Sequence, residues 1–276
     1  MERIASGYAL AEAPLAAPDG GVFFSDALAG GVYRWSPGSG EVSTVIETRR
    51  GVGGMAAHAA GGLVVSGRDL ARIDGDATEV LYADESAAGF NDITVDPAGR
   101  LVAGVLRFRP FAGEEMVPGE YVRVDGPAAA AAIMPGVEWV NGCAFSPDGA
   151  TFYGCDYRRG VVLAADREER GAYGPPRVLA ESPSGEADGL AVDEDGAVWV
   201  ALGGAGRLGR FRPDGELDGT VDVPAAFVAS LCFGGSDGRD LFVTTGGDPS
   251  DPDAAGGVFH ARADVAGAPI PAVGLG

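Results

Sequence analysis

The sequence predicts an all-β protein: a six-bladed β-propeller of four-stranded antiparallel blades around a central channel. Three observations carry this prediction. A glycine turn followed by a short apolar strand recurs six times along 276 residues. Further short strands fill each interval. No amphipathic helical pattern of about 12 or more residues interrupts them.

The six turn phrases are PDGGVFFSD (18–26), AAGGLVVSG (59–67), DPAGRLVAG (96–104), SPDGATFYGCD (146–156), DEDGAVWVALG (193–203) and GGSDGRDLFVTTG (234–246). Their glycines, Gly20, Gly61, Gly99, Gly149, Gly196 and Gly238, lie 41, 38, 50, 47 and 42 residues apart. Each interval suits one four-stranded blade. Apolar residues flank the Asp-Gly turns on both sides, the strongest short hairpin signal. A third strand follows each pair: GVYRWSP (31–37), LARID (70–74), EYVRVD (120–125), VVLAADR (161–167), RLGRFRP (207–213) and GVFHARA (257–263). A fourth ends the unit, as in VSTVIET (42–48) and ATEVLYA (77–83). The last repeat has no fourth strand after residue 263, so a terminal segment must complete it. ASGYAL (5–10) and the extreme C-terminus are the candidates. No low-complexity linker divides the chain, so residues 1–276 are expected to form one domain. A two-sheet sandwich leaves the period of ~40–50 residues unexplained.

Composition narrows the function. Twenty basic residues stand against 40 acidic ones, a net charge of −20, which argues against nucleic-acid or anionic-membrane partners. All the basic residues are arginine, so Schiff-base and P-loop lysines are excluded. Two histidines, His58 and His260, cannot build a multi-histidine zinc site. No G-x-S-x-G elbow supplies a serine nucleophile. Cys143, Cys155 and Cys232 are an odd set without a secretion signal, as expected of reduced thiols in a cytoplasmic protein. Cys143 and Cys155 flank one hairpin and are candidates for proximity. A propeller needs no partner to fold, and the charge favours a monomer or small homo-oligomer.

A propeller gathers the starts of its innermost strands on one axis. Read blade by blade, those positions hold Glu12, Met55 or Ala56, Asn91, Asn141, Asp188 and Ser230. Four are oxygen donors: Glu12, Asn91, Asn141 and Asp188. Two carboxylates match the charge of a divalent cation, and two amides add neutral oxygens, as hard cations such as Ca²⁺ prefer. Without a cation, the carboxylates would repel each other in the channel.

Glu12–Pro14, FND (90–92), NGCAFSPDG (141–149), DGLAVDEDGAVWVA (188–201), SLCFGGSDGRDLFVTT (230–245) and GGVFHARADVAGAP (256–269) together resemble the senescence-marker-protein / gluconolactonase / luciferin-regenerating family. The resemblance spans nearly the whole chain. It implies one axial divalent metal, Ca²⁺ first, with Zn²⁺, Mn²⁺ or Mg²⁺ as alternatives. The implied ligands are Glu12, Asn141 and Asp188. Asn91 is a fourth ligand or a water- and substrate-contacting residue, and Asp188 is the general base. The chain departs from the family pattern at two places. Ala11 and Ala13 replace the glycines flanking the glutamate, and a positive φ there would strain alanine. Gly89 stands where the family often has a substrate-binding arginine. This weakens an aldonolactone assignment and opens room for a larger or more apolar substrate.

Arg107 and Arg109 are candidates to replace that charge. Their segment, RFRPFAGEEMVPG (107–119), reads as a lid with Phe108, Phe111 and Met116 as pocket walls. Trp139 and His58 are further substrate-binding candidates, whereas His260 is read as structural. The expected activity is metal-dependent hydrolysis of a small-molecule lactone or related ester, with Lewis-acid activation of the carbonyl and Asp188-assisted attack of water. A biosynthetic cyclisation, isomerisation or other hydrolysis in the same pocket is one alternative. A non-catalytic binding scaffold is another.

Overall fold

The computed structural model describes residues 1–168, 171–247, 251 and 254–274. It contains β1 (Glu2–Tyr8), then β2 (Ala11–Ala16), β3 (Val22–Asp26), β4 (Val32–Trp35) and β5 (Val42–Ile46) as blade one. Blade two is β6 (Met55–Ala57), β7 (Leu63–Val65), β8 (Leu70–Asp74) and β9 (Ala77–Tyr82). Blade three is β10 (Gly89–Val95), β11 (Leu101–Leu106), β12 (Gly119–Gly126) and β13 (Ala129–Val137). Blade four is β14 (Val140–Phe145), β15 (Thr151–Asp156), β16 (Val161–Asp166) and β17 (Arg177–Glu181). Blade five is β18 (Leu190–Val192), β19 (Val198–Ala201), β20 (Arg207–Phe211) and β21 (Leu217–Asp222). Blade six is β22 (Phe227–Gly234), β23 (Asp240–Gly246) and β24 (Gly256–Arg262). β1 supplies its fourth strand by pairing antiparallel with β24, so the N-terminal candidate closes the ring.

Each blade is buried on both faces, which explains unbroken apolar runs such as VWVA. Alternate residues of one strand serve opposite neighbours. Leu101, Ala103 and Val105 pack toward blade two, whereas Val102 packs toward blade four. Val198 and Val200 face blade four; Trp199 and Ala201 face blade six. The core is therefore a set of wedges between adjacent blades rather than one central mass. Outer strands such as β5 and β21 are mostly exposed. Among the described residues, no helix is long and apolar enough to cross a membrane.

Alternation also settles the cysteines. Cys143 lies opposite Gly154 across β14 and β15, which puts Cys155 one residue out of step. The two thiols enter different wedges, and both are free.

After β24 the chain crosses the end of the channel where the Asp-Gly turns lie. Ala268 N–H donates to Val192 of blade five, and Val273 N–H to Ala57 of blade two. Gly274 N–H donates to Gly99 of blade three. Residues 268–271 floor a central cavity of about 760 Å³.

Candidate functional site

The upper end of the channel, where the inner strands begin, is built on irregularity. The register of β2 with β3 shifts between Glu12 and Leu15. That of β10 with β11 shifts between Phe90 and Ile93, and that of β14 with β15 between Val140 and Cys143. β22 shifts between Val228 and Ser230. A β-bulge breaks strict alternation and re-aims side chains. These bulges fall at Glu12, Asn91 and Asn141, and Asp188 lies two residues before β18. The strand starts also approach closely. A Cβ on Gly142 would lie 2.2 Å from Leu190 N, and one on Gly54 would lie 2.3 Å from Ile93 N.

Glu12, Asn141 and Asp188 are buried together at this end. The Glu12 carboxylate accepts the N–H of Ala13 at 3.1 Å. Ala13 has φ +51°, the left-handed conformation that glycine tolerates and alanine resists. It is the only described non-glycine residue with positive φ. Asn91 donates its side-chain N–H to Val140 O at 2.9 Å, linking blades three and four. Its Oδ1 lies against Gly53, where a Cβ would come within 2.0 Å. Blade two therefore meets Asn91 with bare backbone. Met55 and Ala56 lie lower and line the cavity, as does Ser230.

Two residues at this site were not singled out in the sequence. Asp92 faces the cavity, because the bulge turns it inward beside Asn91. It stands in the FND segment, but the repeat offset marks Asn91, not its neighbour, as the axial position. Tyr121, fully buried in blade three, holds the blade-four bulge. Its hydroxyl accepts the Asn141 N–H at 2.9 Å and donates to Cys155 O at 2.7 Å. Space for its ring comes from Gly154, where a Cβ would meet that ring at 2.5 Å.

The electrostatics are those of uncompensated acids. Burial, then the Asp92 charge, pushes the Glu12 carboxyl well above its ordinary range against the pull of the Ala13 N–H. Burial first, then Glu12 and Asp92, raises Asp188, while the Asn141 side chain opposes this by hydrogen bonding. Asp92 is pushed up to about 7 by burial. Its exposed surface lines the central cavity. Asp188 Oδ1 is buried with no hydrogen-bond partner among the described residues. A buried carboxylate oxygen without a donor is costly, and a cation removes the cost. Among the described residues, no three His, Cys, Asp or Glu side chains sit close enough to hold an ion by themselves. The donors that fit here are two carboxylates completed by amide oxygens.

The other expected contacts lie elsewhere. Arg107 is taken up by Glu120, Asp84 and Ser86, and Arg109 by Glu114. His58 follows β6 at the lower end, bridged to Val273, with Nδ1 accepting Ala60 N–H at 3.1 Å. Trp139 stands at the upper rim, edge-on to Phe108 and Phe111 and 4.8 Å from the Tyr157 ring. A Cβ on Gly89 would meet Gly67 O at 3.1 Å, so a side chain there starts against backbone.

Residues 10–247 match the model of the SMP-30/gluconolactonase/LRE-like region. The chain belongs to this family. It is 32% identical to the pentonolactonase XacC of Haloferax volcanii over 274 residues, covering 93% of this chain and 91% of that protein. It is 32% identical to a 6-deoxy-6-sulfogluconolactonase of Pseudomonas putida over 265 residues, covering 91% of this chain and 89% of that one. A solved structure of a calcium-binding protein, regucalcin, from Agrobacterium tumefaciens superposes with a TM-score of 0.85. That superposition has 22% identity and covers 98% of this chain and 96% of the other.

Proposed function

We propose that this family member is a divalent-metal-dependent lactone hydrolase working at the axial carboxylates. The observation that carries the reading is the partnerless Oδ1 of Asp188, buried among acids that raise one another's proton affinity. Glu12, Asn141 and Asp188 would hold the ion, with Asn91 beside them. Hard oxygen donors favour Ca²⁺ over softer ions. When bound, the ion supplies Lewis acidity at the lactone carbonyl.

The chain's own residues do the rest. Ionised Asp188 accepts a proton from water as the oxygen adds to the carbonyl carbon. It returns that proton to the ring oxygen as the C–O bond breaks, giving the hydroxy acid. Asn91 and the cavity-facing Asp92 border the substrate's position. Tyr121 keeps Asn141 in place through its backbone.

The test is metal analysis of the purified protein with Glu12→Ala and Asp188→Ala alongside. A lactone panel is then assayed with and without chelator. One bound divalent ion, lost in both variants, together with chelator-sensitive ring opening supports the proposal. A folded protein that binds no ion and opens no lactone overturns it.

A further inference from the structure

The upper rim above Asp188 carries a rigid aromatic wall that the reaction does not itself require. Trp139 lies two residues before Asn141, and its backbone N–H donates to the buried Asp156 carboxylate at 3.3 Å. Tyr157 N–H donates to Trp139 O at 3.0 Å, so the two rings share one backbone anchor. The Tyr157 hydroxyl donates to Glu186 at 3.1 Å, and Gly204 N–H donates to the other Glu186 oxygen at 2.6 Å. Both Glu186 oxygens are thus occupied, so the residue fixes the tyrosine ring rather than offering a cation site. Phe111, 73% exposed, extends the wall from the 107–119 loop. Aromatic faces held this way bind flat apolar groups at little entropic cost.

The charges point the same way. The groups that bear on Asp188 through space, Glu12, Asp92 and Glu186, are all acidic. The loop's arginines are neutralised by Glu120, Asp84 and Glu114. Even with a divalent ion offsetting Glu12 and Asp188, Asp92 and Glu186 leave the site acidic and neither loop arginine is free to meet an anion, whereas an uncharged ring meets the partly exposed Trp139 and Tyr157 and the exposed Phe111.

Resting on the lactonase reading, we propose that Trp139, Tyr157 and Phe111 form a specificity wall for lactones bearing an uncharged aromatic or similarly apolar group. The test compares 3,4-dihydrocoumarin with δ-valerolactone, which has the same six-membered lactone ring without the fused arene. Variant-to-wild-type ratios on each substrate remove the difference in intrinsic reactivity. Trp139→Ala is expected to lower kcat/KM on dihydrocoumarin by ~10-fold or more, mainly through KM, and on δ-valerolactone by less than ~2-fold. Trp139→Phe keeps most of the dihydrocoumarin activity. Equal losses on both substrates, or no loss on either, overturn the wall.

Should the wild type open neither lactone, the hydrolase reading fails separately. Calorimetry with 3,4-dihydroquinolin-2-one, the cyclic amide of the same shape, then decides the wall alone. Binding that Trp139→Ala abolishes supports it, and absence of binding to the wild type overturns it.

Discussion

Asp26 and Asp188 are equally inaccessible, each 3% exposed, yet they stand in opposite electrostatic situations. Asp26 ends β3 and accepts N–H groups from Ala9, Leu28 and Ala29, fastening the approach to β2 onto the next turn. Asp156 does the same in blade four with Glu138, Trp139 and Arg159. Asp188 has an oxygen with no donor among the described residues, and acids as neighbours. Burial alone therefore does not mark a functional carboxylate. The supply of donors separates the two, because a satisfied acid stabilises the fold and an unsatisfied one is costly until a proton or a cation meets it.

The comparison breaks most sharply in activity. On the proposed function, Asp188→Asn is expected to reduce lactone turnover by ~10³-fold or more, by removing both the anionic charge toward the proposed ion and the proposed base. The same variant should unfold no earlier than wild type in chelator, as measured by urea denaturation. Asp26→Ala should do the reverse, costing about 3 kcal/mol of stability because several buried N–H groups lose a charged acceptor. A wild-type unfolding midpoint in that variant would show the backbone net to be dispensable.

pH sharpens the contrast further. A carboxyl whose folded pKa is raised gives stability that is present below its unfolded pKa and lost as pH rises through the folded value. For Asp92, raised to about 7, that window runs from about pH 4 to 7. In metal-free protein Asp92 by itself should cost up to ~1.4 kcal/mol per pH unit across it, with Glu12 and Asp188 adding in the same direction. Saturating Ca²⁺ should flatten the slope, and a slope unchanged by Ca²⁺ would remove the cation from the account. The smallest effect concerns the backbone. Ala13→Gly relieves a left-handed alanine and should raise stability by about 0.5–1 kcal/mol, read as a shift in Tm.

The repeat made the fold legible. LARID at 70–74 is β8 residue for residue, and every third strand read from the sequence forms within two residues of its expected limits. The strain at Ala13 was also legible, because the glycine expected beside Glu12 is missing. Asp92 and Tyr121 were not. The first depends on a bulge, which no periodicity announces, and the second reaches its partner from the neighbouring blade. Arg107 and Arg109 looked available because a sequence does not show which acids fold back onto them. The repeat offset marks Asp188 as axial and passes over Asp26, but only tertiary structure decides how many N–H groups surround each.

The pairing of β1 with β24 sets residue 2 opposite residue 260. Of the ring's strands, β1 is made first and is the last to find its partner, because β24 is made after all the others. Until then β24 presents an open edge of unpaired backbone, the form of strand most prone to join the wrong chain. The ring cannot close gradually. Its final step is a loop closure from residue 2 to residue 260, which places the slow event in joining β1 to β24 rather than in any single blade.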